Sequence, residues 1–536
     1  MAEDPNCVAE LAATAAGDGA RSAIVAGRAT LSYADLASGA ARLAGALAPH
    51  LATRRVGILG SRSLAAYVGI AGAAWAGAAY VPLNLKWPAE RLIRLMGELE
   101  LDALVVDANG AKLMTPEVRA AAPAAIYLAD DADPVEGAVR LAGIDAAPLE
   151  APAPRAEGDT AYIVFTSGST GEPKGVVVSC GALRRYLDAT EGWTALTPDD
   201  RVAEAHDVTF DLSVHNMFLA WRAGAALHMM SQLDMMAPQA FVRRNAITCW
   251  MSVPTIVNNM RALGVLKPGM FPSLRLSVFC GEPLGLATVT DWAAAAPNST
   301  VENIYGPTEG TVVCTRQRLT DPPVVTPERQ ILSIGAAYPN FDITIRNADG
   351  AVLSDGETGE IVIASDQLSD GYFNRPEQTA KAFREIDGRR HYFTGDLGYR
   401  DAEGRFHHMG RADNQVKLKG NRVELEEVEF HLRAACETDL ACVVAWPRVD
   451  GLVQGLVGFS TNTAIDASTV RERMARSIPE YMIPARIELR DVLPRNINDK
   501  VDRNALIAEL DARAVDAPSL ETPSLERSGA AKRERA

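Results

Sequence analysis

Positive charge is in short supply: 53 Lys and Arg stand against 68 Asp and Glu in 536 residues, a formal net charge of −15. Non-specific binding to nucleic acid needs clustered basic surface, so that class is excluded. A small anionic ligand is not, because one local site can be positive on an acidic protein. Cysteine is sparse too: the seven are dispersed, and no pair has metal-ligand spacing. That pattern points to reduced thiols in a cytoplasm. The opening residues MAEDPNCVAE lack a basic segment followed by an apolar one, so no signal peptide is expected. Long apolar runs are missing as well. Leu64–Ala79 comes nearest, but its small residues and Trp75 suit a packed helix and strand. A membrane span takes about 20 strongly apolar residues. No repeat or heptad array is visible, and a soluble protein without membrane partners is expected.

What is present is a chain that is 48% hydrophobic and long enough for two or more cores. Strand-like runs (Arg55–Gly60, Ala103–Asp107, Ala161–Thr166, Leu274–Gly281) alternate with helical ones (Tyr33–Leu51, Pro88–Leu99). The alternation predicts an α/β architecture with parallel strands. Beyond Gly350, short strands and turns such as Asp349-Gly350 and Glu403-Gly404 predict a β-rich subdomain. A final α+β unit is expected after Arg411, and the polar residues from about Val515 read as a disordered tail.

The apolar run Tyr162–Phe165 leads into TSGSTGEPKG, Thr166–Gly175. Glycines allow close backbone approach, successive N–H groups form an anion-binding concavity, hydroxyls add donors and Lys174 adds charge. This predicts a phosphate cradle, though not in the G-x-x-x-x-G-K-[ST] order. Three further clusters follow. In NIYGPTE, Tyr305 offers a ring for stacking, Asn303 an amide for a purine edge, and Glu309 a carboxylate for Mg2+. A turn with a capping glutamate would read the same way. In YFTGDLG, Asp396 can accept from both ribose hydroxyls, or the stretch is a plain hairpin turn. LPRNINDKVDR places Lys500 in a polar loop near the end of the folded chain.

In this order and at these separations the motifs resemble the adenylate-forming superfamily, which includes adenylation domains of nonribosomal peptide synthetases, acyl-CoA synthetases and luciferases. The resemblance spans nearly the whole chain: LSYADL, WAGAAYVPL, Gly359–Phe383, GRADNQVKLKGNRVELEEVE and YMIP all match its pattern. It implies a large N-terminal domain (1–411) of parallel-sheet α/β subdomains plus the β-rich subdomain, a small mobile α+β domain (412–512), and the tail (513–536).

The same resemblance implies ATP and Mg2+. Thr166, Ser167, Gly168, Ser169, Thr170 and Lys174 would hold phosphates. Gly281, Glu282, Pro283, Asn303 and Tyr305 would surround adenine, with Asp396 and Arg411 on the ribose. Thr308 and Glu309 fall where the family binds Mg2+ and the acyl phosphate, Asp413 at its hinge, and Lys500 at its catalytic lysine. Three positions depart from the pattern: Asn496 replaces a threonine, Asp499 a glycine, and Phe393 a basic residue.

FDLS (Phe210–Ser213) separates branches. Asp211 matches the aspartate that binds the substrate ammonium in amino-acid-activating members, although a helix N-cap would read alike. The pocket implied by the resemblance is formed by Leu212, His215, Ser252, Val278 and Cys280 together with Ile304, Val312 and Val313. It has no charge opposing a side chain and no slot for a large aromatic. FCGEPL and FDLSV look particularly like D-alanine:carrier-protein ligases. The expected activity is therefore ATP-dependent activation of a small neutral amino acid of the alanine, glycine and serine class. No carrier segment is seen, so transfer to the phosphopantetheine thiol of a separate carrier protein is expected. Alternatives are D-alanine ligation for cell-wall modification, transfer to an amine on a carrier-bound acyl group, and an acyl-CoA ligase.

Overall fold

The computed structural model describes residues 5–168, 172–438, 440–449, 452–495 and 501–516. Two large sheets form the bulk of the chain. One has eight strands; its parallel run reaches from Thr160–Thr166 through Ala79–Pro82, Arg55–Leu59, Ala103–Val106 and Ala125–Leu128 to Ala138–Arg140. The other has nine strands. Its parallel centre runs from Thr300–Tyr305 through Leu276–Phe279, Cys249–Ser252, Arg201–Glu204 and Ala226–Met229 to Ser22–Ala26. Strands such as Ala103–Val106 and Leu276–Phe279 are buried at every residue, as parallel strands covered on both faces must be.

One apolar core takes residues from both sheets, with Tyr80, Tyr162, Phe218 and Trp221 among its fully buried rings. The helix Leu212–Ala223 belongs to it: its residues from Leu212 through Trp221 are all buried. That embedding fixes Asp211 at the helix start. Leu64–Trp75 is likewise a packed helix, followed by the strand Ala79–Pro82. Among the described residues, no helix is long and apolar enough to cross a membrane.

An antiparallel sheet carries Asp342–Arg346, Gly359–Ala364, Phe383–Ile386, Arg389–Arg400 and Phe406–Arg411. The residues after it build two smaller sheets and the helices Leu425–Cys436, Ala467–Ala475 and Arg503–Asp516. The last helix runs past residue 512, so the tail boundary drawn from composition falls inside a helical segment. Composition marks where core-forming residues thin out, whereas a helix ends where its hydrogen bonds do.

Candidate active site

The strands Thr160–Thr166 and Lys174–Ser179 that flank the expected phosphate loop are antiparallel, and Thr166 pairs with Lys174 across them. A Cβ at Gly168 would sit 1.9 Å from the carbonyl oxygen of Glu172, so only glycine fits. The Thr166 hydroxyl is buried without a hydrogen-bond partner among the described residues. Ser167 donates its hydroxyl to the Arg422 carbonyl at 2.9 Å, and the Gly168 amide donates to Glu427 Oε2 at 3.1 Å. Lys174 lies 5.0 Å from the centre of the Tyr372 ring. Burial, then the neighbouring Arg422, pulls its pKa below the usual lysine value. Ser169 and Thr170 lie outside the described residues.

Beside the loop, a cavity of about 370 Å3 is lined by Gly281, Glu282, Pro283, Asn303 and Tyr305, and by Asp396 and Arg411. Asn303 donates to the Ser333 carbonyl at 2.8 Å. The Glu282 carboxylate accepts from the Thr255 amide and hydroxyl and from the Gly420 amide. Asp396 and Arg411 are cross-strand partners, so sheet register sets their contact, Arg411 Nη1 to Asp396 Oδ1 at 2.7 Å. Tyr305 donates to Asp396 Oδ2 at 2.5 Å, and His408 Nε2 lies 3.3 Å from Oδ1. Burial alone would raise the Asp396 pKa; Arg411, His408 and Tyr305 overcome it and hold the carboxyl well below the usual range.

Glu309, fully buried, accepts from the Tyr372 hydroxyl at 2.8 Å and pairs with Arg422 Nη1 at 3.0 Å. Burial works against its charge, but Arg422 and Lys174 bring its pKa down to about 2. The described residues hold no group of three or more His, Cys, Asp or Glu placed to bind a metal. Glu309 supplies a single ionised carboxylate, a donor set that fits Mg2+, which keeps waters and takes its remaining ligands from phosphates.

Asp211 occupies the N-cap position of the helix Leu212–Ala223, yet its side chain makes no capping bond. It reaches instead toward a cavity of about 100 Å3 lined also by Leu212, Cys280, Gly281, Thr308 and Lys417. Burial raises its pKa; the Thr308 hydroxyl and the Lys417 charge act in the opposite direction. Of the expected lining residues, Leu212 and Cys280 are on this wall, and Ile304 is on the wall of the larger cavity. His215, Ser252, Val278, Val312 and Val313 are buried and reach neither. His215 bonds the Tyr186 hydroxyl at 2.5 Å, and with Val278 it borders a separate void of about 10 Å3. Ser252 accepts from Trp250. Cys280 lines both cavities.

Asp413 is half-exposed and doubly bonded to Arg411. Lys500 lies outside the described residues, as do Asn496 and Asp499. Lys417, Arg422, Glu427 and Arg91 were not singled out by sequence reasoning. Lys417 projects into the cleft beside Asp211, and burial, followed by Arg422, lowers its pKa. The signal available for three of them was only the stretch Gly410–Glu429, which marked a domain junction without saying which side chains turn inward.

The AMP-binding enzyme family matches residues 11–373. A D-alanine--D-alanyl carrier protein ligase of Bacillus velezensis is 31% identical over 504 residues, covering 90% of this chain and 95% of its own. The ligase of that description from Bacillus cereus is 32% identical over 453 residues, covering 82% and 86%. Among solved structures, the Vibrio cholerae adenylation domain AlmE in complex with glycyl-adenosine-5'-phosphate superposes with a TM-score of 0.86 at 29% identity, over 96% of this chain and 99% of that one.

Proposed function

The chain belongs to the AMP-binding enzyme family, and we propose that it is an ATP-dependent, AMP-forming ligase for a small neutral amino acid. The observation that carries this is Asp211, a carboxylate at a helix start that caps nothing and lines a cavity of about 100 Å3 with Leu212 and Cys280. Such a group suits an ammonium, and so small a cavity suits a hydrogen or methyl side chain. Glycine and D-alanine are the favoured substrates, in keeping with the ligand named for AlmE and the amino acid named for the carrier-protein ligases.

Asp211 holds the amino group. A carboxylate oxygen of the amino acid attacks the α-phosphorus of ATP, pyrophosphate leaves, and the mixed anhydride remains. Asp396 and Arg411 hold the ribose, Tyr305 and Asn303 face adenine, and the loop from Thr166 to Lys174 holds the phosphates. Lys500 offsets repulsion between the two approaching anions. Glu309 and Thr308 would hold Mg2+, which when bound neutralises phosphate charge and so favours departure of pyrophosphate. In the second half-reaction a carrier-protein thiolate attacks the acyl carbon, and AMP leaves as the thioester forms. The small domain, residues 412–512, turns about Asp413 between the two. We infer a cytoplasmic reaction from its need for ATP. Natural-product assembly and cell-wall modification by D-alanine differ in the carrier served.

A panel of D- and L-amino acids in a pyrophosphate-release assay tests this reading. Glycine or alanine should be activated, and Asp211→Ala should lose roughly 30-fold or more, about 2–5 kcal/mol for stranding one partner of a charge pair. Activation of simple carboxylic acids in place of amino acids would favour an acyl-CoA ligase.

A further inference from the structure

No motif singles out Arg329, yet its side chain reaches the neighbour of Asp396, the proposed ribose carboxylate. Arg329 lies in the short loop between the paired strands Val325–Thr326 and Ile331–Leu332. The Thr326 carbonyl accepts from the Arg329 and Gln330 amides at 3.2 and 3.0 Å, which closes that loop. The strand Phe406–Arg411 meets the loop through two consecutive histidines, and alternation along the strand sends their rings different ways. His407 Nδ1 bonds the Thr326 hydroxyl at 3.1 Å, and its ring stacks on Tyr399. His408 lines the nucleoside cavity, as Arg329 does.

A single nitrogen of Arg329 grips His408 twice. Nη1 lies 2.7 Å from Nδ1 of the ring and 3.2 Å from the carbonyl oxygen of the same residue. A guanidinium has donors and no acceptor, and it does not give up its protons. Nδ1 must therefore be the acceptor and carry no proton. The one ring proton of the neutral imidazole then belongs on Nε2, 3.3 Å from Asp396 Oδ1. Asp396 Oδ1 also receives Arg411 Nη1 at 2.7 Å, so this oxygen is held from two directions. The charged and titratable groups about the ring are Asp396 and Tyr305 on neighbouring strands, Arg411 on its own strand, and Arg329. Beyond them, Asp413 pairs with Arg411, and the charge of Arg448 acts on Arg329. Three guanidinium groups outnumber two carboxylates, so a further positive charge on the imidazole is opposed by charge as well as by geometry.

We propose that Arg329 is a positioning residue for the nucleoside: by holding His408 as the Nε2–H tautomer, it sets Asp396 before the ribose arrives. The proposal rests on the adenylate-forming reading above and deepens it by adding two side chains to the ribose site. Without the guanidinium, Nδ1 is free to take a proton, and the ring is free to change tautomer. An imidazole with a bare Nε2 would turn a lone pair toward the carboxylate. Tyr305 and Arg411 would then hold Asp396 alone.

Two readouts on the full chain test this. In protein labelled with 15N at histidine, the His408 ring signals are identified among the eight histidines by their loss in His408→Gln. In wild type, Nδ1 should stay bare and Nε2 protonated from about pH 5 to 8, where histidine ordinarily titrates. In Arg329→Leu both nitrogens should titrate within that range. The second readout is calorimetric titration with adenosine, which has no group that titrates there. Arg329→Leu and His408→Phe should each weaken adenosine about tenfold, the worth of one hydrogen bond to a charged group. His408→Gln, whose amide can still donate to Asp396, should stay within about threefold of wild type. The variants alter two different positions, so failure of one to fold leaves the other decisive. A wild-type His408 that titrates, or that carries its proton on Nδ1, with adenosine still bound, would overturn the tautomer lock alone. Full adenosine affinity in both Arg329→Leu and His408→Phe would overturn it too. Absence of adenosine binding in wild type would overturn the adenylate-forming reading, and the ribose role of these side chains with it.

Discussion

Arg411 holds Asp413 by two bonds, Nε to Oδ1 at 2.6 Å and Nη2 to Oδ2 at 2.7 Å. The same guanidinium gives Nη1 to Asp396. The proposed ribose carboxylate and the proposed hinge therefore share one cation. Lysine would keep the charge and lose the fork. Arg411→Lys is expected to weaken AMP binding about tenfold, the worth of one charge-assisted bond, as read by calorimetric titration.

The raised pKa of Asp211 gives substrate binding a pH dependence. Only the ionised carboxylate attracts an ammonium. Affinity for the amino acid should fall as pH drops through the shifted value, by up to about tenfold per unit. Asp211→Asn should bind weakly with no such slope. Dissociation constants measured from neutral pH downward decide it.

Two buried histidines affect stability. Burial pushes the His215 pKa down to about 3 and that of His228 down to about 4, from 6.5. Between those values the unfolded chain binds more protons than the native one. Stability is thus fully present above the unfolded value and is lost as pH falls, at about 1.4 kcal/mol per unit for each histidine. Urea midpoints should fall below pH 6.5. His228→Leu should flatten part of that slope, and since His228 Nδ1 has no partner among the described residues, hydrogen bonding at that atom does not confuse the result.

Lys417 faces Asp211 in the described arrangement, and Lys500 lies outside the described residues. The two half-reactions should then respond differently to Lys500→Ala. Adenylate formation is expected to fall by about 10²–10³, the usual loss for one preorganised electrostatic group. Thioester formation from supplied aminoacyl-AMP should be largely retained. Equal loss in both assays would remove Lys500 from the role.

Local chemistry was legible in the sequence. The loop Thr166–Gly175 was expected to be a cradle from its residue types and Asp396 a ribose contact from its motif, and the structure adds that strand register sets Asp396 against Arg411. The α/β alternation was also legible, since buried parallel strands leave continuous apolar runs. Contacts made across the domains were not. Arg91 and Glu427 are 336 positions apart, and nothing at either position announces the other. Side-chain direction was equally hidden: His215 falls one helical turn after Asp211, yet it bonds Tyr186 and lines neither cavity. A motif assigns a residue to a region, and packing decides whether its side chain reaches the cavity.

The most direct test is the position of the substrate nitrogen in crystals grown with glycyl or alanyl sulfamoyl adenosine. The account predicts the inhibitor's amine about 2.7–3.0 Å from an Asp211 carboxylate oxygen, with its ribose hydroxyls on Asp396. An amine turned away from Asp211, with the ribose still seated on Asp396, would contradict it.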